Sequence, residues 1–177
     1  VSGFGQKGPR ANYPGNDMTG QAFSGLLHLT GTDDGTPVYP GMYLADGGGG
    51  VNGATAVLAA LYYRDRTGIG QHIDVALYEC VFHIHDIFLM QHLFTYGDYN
   101  PGPTGRHRPG ATPCGLFKTR EGWIVLTVLN HYWKKFTPDI GKPELAKAPR
   151  FNPFNVRWEN RQPLEPIAQQ WLKTFPT

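Results

Sequence analysis

Asp46 is the residue of this chain whose surroundings in sequence suggest chemistry most directly. It stands immediately before Gly47-Gly48-Gly49-Gly50, and an apolar helical periodicity begins at Val51. Two readings fit that junction. The first is a helix cap, in which a side-chain oxygen accepts a backbone N–H at the helix start. The second is a nucleophile. Four consecutive glycines are costly in conformational entropy, and a simple cap does not need them. They let backbone N–H groups and a bulky ligand come close to the carboxylate. The helix dipole would keep the aspartate ionised and could steady an anion beside it. An ionised carboxylate beside free N–H donors can form an acyl-enzyme anhydride.

Other constellations carry less. Gly3-Phe4-Gly5-Gln6-Lys7-Gly8 matches the dinucleotide fingerprint by letter. That fingerprint works only between a strand and a helix, whereas Pro9 and a loop follow here. Ser24 lacks the flanking glycines of a nucleophile elbow. His83 and His85 are two residues apart and would face different ways on a helix. His85 and His92 share a helical face without a third ligand at the proper offset, so core or interface histidines are expected and no metal site. Cys80 and Cys114 lie in no zinc or CxxC spacing. Two buried or idle thiols suit a reducing compartment, which points to the cytoplasm. Arg106-His107-Arg108 is the one dense basic patch, read as a solvated loop or as contacts to a substrate carboxylate.

The elements that must position these residues follow from periodicity and punctuation. Residues 1–20 read as loop, and residues 20–30 have helical spacing that stops at Gly31. The helix from Val51 places Val57, Leu58, Leu61 and Tyr62 on one face. It closes with Arg64-Asp65-Arg66-Thr67-Gly68, a basic last turn followed by glycine. Residues 71–75 alternate as a short strand, and one long helix is expected over 76–96. The cluster from Asn100 to Gly105 marks a domain boundary, dividing the chain into 1–99 and 100–177. Beyond it, 114–119 and 123–128 read as a β-hairpin around Arg120-Glu121-Gly122. Asn130 can cap a helix toward Ile140, and further helical pattern covers 156–173.

Composition limits the function classes. The 177 residues include 23 glycines and 15 prolines, about one residue in five, with 16 basic against 14 acidic side chains. A net charge of +2 and 13% aromatic residues argue against disorder and against a dedicated nucleic-acid binder. No apolar run approaches the roughly 18 residues needed to span a bilayer. Val1 opens inside an ordered motif, and the chain reads as an internal excerpt of a longer protein.

Taken in order, Gly3-Phe4-Gly5-Gln6, Gly8-Pro9, Gln21-Ala22, Ser24-Gly25 and Leu29-Thr30-Gly31 precede Asp46. Leu58-Ala59-Ala60-Leu61, Arg64, Thr67-Gly68, Gly70-Gln71, Ile73-Asp74, Leu77 and Glu79 follow it. Past the boundary come Pro113, Gly115, Phe117, Thr119, Gly122, Trp133, Ile140-Gly141, Pro143 and Arg150-Phe151. This string resembles the class III CoA-transferases, the CaiB/BaiF family, across essentially the whole chain. That family includes formyl-CoA transferase, crotonobetainyl-CoA:carnitine CoA-transferase and, more distantly, α-methylacyl-CoA racemase.

The resemblance implies an α/β fold: part of a Rossmann-like large domain, mostly helical here, then a small α+β domain with a hairpin. It implies Asp46 as the catalytic nucleophile toward an acyl-CoA thioester, and transfer of coenzyme A to a carboxylic acid. Pro14, Gly15, Asn16 and Asp17 match a segment that touches coenzyme A. Gly110, Ala111 and Thr112 fall in a loop, poorer in glycine here, that covers the reacting carboxylate. No tightly bound cofactor is implied, the coenzyme A thioester being substrate. The family forms interlocked homodimers, so an excerpt would lack partners for its apolar faces. The racemase branch carries a histidine where this chain has Asn16, which favours the transferase. A racemase, or a non-catalytic CoA-binding fragment, are the alternatives.

Overall fold

The computed structural model describes residues 1–176, the side chain of Asp86 excepted. The chain divides into two compact units, Val1–Pro103 and Thr104–Thr177. Helix and strand are mixed, with strands confined among the described residues to one two-stranded sheet in the second unit.

The first unit is built on helices α1 (Asp17–Phe23), α2 (Leu26–Leu29), α3 (Leu44–Thr67), α4 (Leu77–Phe82) and α5 (Asp86–Phe94). Gly25 separates α1 from α2 because its φ of 87° leaves the right-handed helical region. The helical pattern expected over 20–30 is therefore two short helices. The 24-residue α3 ends as its sequence suggests, with Gly68 at φ 73° and its N–H on the Arg64 carbonyl oxygen. Its beginning differs from expectation. The helix starts at Leu44, so Asp46 and all four following glycines lie inside it.

Each helical glycine costs about 1 kcal/mol relative to alanine, so tertiary contacts must carry this first turn. Gly20 on α1 supplies one of them, because a Cβ there would lie 2.7 Å from Cβ of Ala45. The two helices approach closely only because position 20 has no side chain. Gly49 faces Leu77 of α4, where an added Cβ would lie 2.5 Å from Cδ2. Ala45, Leu77 and Val81 form the small buried core, with Leu26 against it. The apolar stripe farther along α3 is not buried: Val51 is 69% and Leu58 68% exposed.

Two other expectations are corrected. Residues 71–75 form no strand. A single parallel bridge joins Ser2 to Ala76, in which Ser2 N–H donates to the Val75 carbonyl oxygen and Leu77 N–H to that of Ser2. The alternation there had no neighbouring strand to pair with among the described residues. The long helix over 76–96 is broken at 83–85, where His85 (ψ 56°) leaves the helical region before α5 begins. No glycine or proline marks the break, so the helical pattern reads through it.

The second unit carries β1 (Cys114–Lys118) antiparallel to β2 (Trp123–Thr127), with Leu116 opposite Val125. Helices α6 (Trp133–Asp139), α7 (Phe154–Glu159) and α8 (Arg161–Leu172) follow. Trp133, Phe117, Phe151 and Leu164 are almost wholly buried at its centre. Asn130 does not cap a helix. Its Oδ1 accepts a 2.7 Å hydrogen bond from Nη2 of the buried Arg157, whose guanidinium lies over the Trp133 ring.

Candidate functional site

Two aspartates meet at the start of α3. Asp17, in the first turn of α1, is 4% exposed. Its Oδ1 accepts the N–H of Ala45 at 2.8 Å and that of Asp46 at 3.2 Å. Its Oδ2 accepts Gln21 Nε2 at 2.5 Å and the Tyr39 hydroxyl at 3.3 Å. The first N–H groups of a helix have no intrahelical partner, and here a carboxylate from another helix supplies one. A negative charge there also complements the helix dipole. Gln21 Nε2 and the Tyr39 hydroxyl both reach the Met42 carbonyl oxygen, at 2.9 and 3.1 Å. Loop residues 39–43 are thus tied to the same buried carboxylate. Lost hydration, then the Asp17 charge, push the Tyr39 hydroxyl above its ordinary pKa, which keeps it a donor.

Asp46 is the exposed member of the pair. Its side chain makes no hydrogen bond or ion pair to any described residue. The expectation that the glycine run leaves amide donors free beside it is not met. Gly47 N–H donates to the Tyr43 carbonyl oxygen at 3.0 Å, and the preceding two amides belong to Asp17. Two of the four glycines leave space instead. A Cβ at Gly47 or Gly50 would meet no atom within 4 Å. The arrangement is an exposed carboxylate without a polar partner among the described residues, on a clasped helix terminus, with open space at Gly47 and Gly50. Such a group can attack an electrophilic acyl carbon.

The other sequence-derived residues fall as follows. Pro14, Gly15 and Asn16 are exposed and run directly into buried Asp17. Gly3 crosses Gly15 so closely that a Cβ on Gly3 would lie 2.7 Å from Gly15 Cα, which explains a glycine of the fingerprint without any phosphate. Asn16 caps α1, its Oδ1 accepting Thr19 N–H at 3.0 Å and the Thr19 hydroxyl at 2.9 Å. In the second unit Gly110 is exposed, with φ 95°. Ala111 and Thr112 are buried there, the Thr112 hydroxyl donating to the Ala111 carbonyl oxygen. Arg106 and His107 both pair with Glu165. Among the described residues no cluster of histidine, cysteine or carboxylate side chains has metal-ligand geometry. No helix there is long and apolar enough to cross a membrane.

Sequence reasoning missed the roles of Gln21 and Tyr39. The Asp17/Gln21 spacing of four residues on one helical face was the available signal. Nothing in the sequence marked the Met42 carbonyl or the reach of Tyr39.

The sequence profile described as "CoA-transferase family III" matches residues 1–177. The chain belongs to the family III CoA-transferases. It is 36% identical to the acetyl-CoA:oxalate CoA-transferase of Acetobacter aceti, over 99% of this chain and 45% of that protein. An L-carnitine CoA-transferase of Proteus mirabilis is 37% identical over 99% of this chain and 45% of its own length. A solved CaiB/BaiF family protein from Brucella suis superposes with a TM-score of 0.80 at 31% identity, covering 99% of this chain and 46% of that one. The chain therefore spans less than half the length of these family members.

Proposed function

We propose that the protein carrying this chain transfers coenzyme A from an acyl-CoA donor to a carboxylic acid, with Asp46 as nucleophile. The observation that carries the reading is the exposed, unpartnered Asp46 carboxylate on a helix start held by Asp17. Relatives named as oxalate, L-malate and carnitine CoA-transferases support the reaction class.

An Asp46 oxygen attacks the thioester carbonyl carbon, the C–S bond breaks, and coenzyme A leaves as thiolate. The product is a mixed anhydride. The thiolate then attacks the Asp46 acyl carbon and expels the donor's carboxylate, leaving an aspartyl-CoA thioester. The acceptor carboxylate attacks that thioester carbon and releases the thiolate again, forming a second anhydride. Attack of the thiolate on the acceptor's acyl carbon yields the new acyl-CoA and restores the Asp46 carboxylate.

The chain's own residues supply position. Asp17 fixes the terminus, and the positive end of α3 steadies negative charge that develops there. The open faces at Gly47 and Gly50 admit the thioester. We assign Pro14, Gly15 and Asn16 to coenzyme A contact, since they emerge from the clasp. Asp17 acts from beneath, through its backbone partners. Gly110, Ala111 and Thr112 are assigned to the substrate loop on the family resemblance alone. The exposed apolar stripe of α3 suits coverage by the rest of a full-length, dimeric protein.

Asn16 has no titratable base and its carbonyl oxygen is engaged in a cap, which weighs against the racemase. The deciding experiment uses the full-length protein with a panel of acyl-CoA donors and acids. Wild type should transfer coenzyme A and yield an Asp46 hydroxamate when hydroxylamine is present during turnover. Transfer at near wild-type rate by Asp46→Ala overturns the mechanism. Deuterium exchange at the α-carbon of a 2-methylacyl-CoA without any acceptor would favour the racemase.

A further inference from the structure

The first unit holds a concavity, of about 190 Å³, that Asp46 does not line. Leu29, Phe82, Phe88 and Leu89 give it apolar walls, interrupted by the imidazoles of His28, His85 and His92. It lies where the turn after α1 meets the broken junction of α4 and α5. An apolar cavity of about 150 Å³ accommodates benzene, so this volume suits one ring with a small substituent.

The histidines define its polarity. His92 Nδ1 lies 2.8 Å from the Tyr99 carbonyl oxygen, and His28 Nε2 lies 2.9 Å from that of Pro101. A carbonyl oxygen only accepts, so those nitrogens carry the protons. In each neutral ring the other nitrogen, Nε2 of His92 and Nδ1 of His28, is left as an acceptor. Neither receives a hydrogen bond from a described residue. His85 Nε2 is buried without a partner among the described residues, and burial pushes that ring below its ordinary pKa. The half-buried His92 therefore offers an unused acceptor beside the apolar walls, and the exposed His28 a second one at the rim. That combination disfavours a carboxylate and favours an apolar body with one donor.

We propose that this cavity binds a compact, uncharged monocyclic molecule carrying a hydroxyl, of the phenol class. The ring packs among Leu29, Phe82, Phe88 and Leu89, and the hydroxyl donates to Nε2 of His92. Such a ligand differs in charge from the acids of the reaction proposed above.

The full-length protein, labelled with ¹⁵N-histidine, is titrated with phenol, benzene and benzoate at about pH 8, above the ordinary histidine range. Phenol should bind and shift the His92 Nε2 resonance. Benzene should bind several-fold to about tenfold more weakly without that shift, as one net hydrogen bond allows. Benzoate should not compete. His92→Phe should erase the preference for phenol over benzene, and Leu89→Trp should abolish binding of both. Phenol binding should persist in Asp46→Asn, so its fate is separate from that of the transferase reading. Absence of phenol binding in wild type, equal affinities without an Nε2 shift, or tighter binding of benzoate would each overturn the proposal. These readouts come from the unmutated protein and do not depend on a variant folding.

Discussion

The N–H of Asp46 points to the carboxylate of Asp17, 3.2 Å away, while the side chain of Asp46 remains exposed, with no polar partner among the described residues. One aspartate holds the backbone of the other. The buried carboxylate is committed to the fold, and the exposed one is free of polar partners among the described residues.

Removing the Asp46 carboxylate should abolish transfer without unfolding the protein. Asp46→Asn in the full-length protein is expected to lose about three orders of magnitude or more in kcat, as loss of a nucleophile does elsewhere. The thermal midpoint should barely move, because the Asp46 side chain is exposed and has no hydrogen bond or ion pair to a described residue to lose. Steady-state kinetics and a melting curve on one preparation check both halves.

Asp17→Ala should cost stability as well as rate. It strips the acceptor from two backbone N–H groups, from Gln21 and from Tyr39. Losing a cap and leaving buried donors unpaired costs about 1–3 kcal/mol. Asp17→Asn retains one acceptor oxygen and should cost less. Denaturant unfolding of the three proteins gives the order.

Two glycines should respond in opposite senses. Gly20→Ala would press its Cβ to 2.7 Å from Cβ of Ala45, with no rotamer to relieve it. Overpacking of this kind costs about 1–3 kcal/mol. Gly47→Ala meets nothing within 4 Å and should stabilise the helix by about 0.5–1 kcal/mol. If the thioester enters over that face, Gly47→Ala should still raise KM. Melting curves and kinetics read the two effects apart.

His85 should make stability fall in acid. Burial lowers its pKa in the folded state, so the unfolded chain binds this proton first as pH drops. The contribution is intact above the ordinary histidine pKa of about 6.5 and is lost as pH falls through the lower folded value. Unfolding free energy measured between about pH 7 and pH 5 should decline less steeply in His85→Phe than in wild type. An NMR titration of His85 with a midpoint above 6.5 would contradict the premise.

Local signals in the sequence were reliable where the structure uses local interactions. The hairpin of β1 and β2 follows from alternation around a short turn, and the end of α3 from a basic turn followed by glycine. The start of α3 was illegible because glycines do not announce a helix, and contacts from Gly20 and Leu77 impose one. The break at His85 was masked because no glycine or proline stands there to interrupt the helical pattern. The role given to Asn130 failed because a distant arginine, Arg157, claims its oxygen.

By itself the sequence determined the order of motifs that marks the family, and it singled out Asp46, because residue types and spacings along the chain are complete in one dimension. Only the tertiary structure decided that Asp17 clasps the helix beneath Asp46, that Gly47 and Gly50 leave room rather than donors, and that three histidines gather around one cavity. Those facts depend on which distant backbone groups face each other once the helices have packed. Hydrogen-bond partners many residues apart leave no periodic trace in the sequence that creates them.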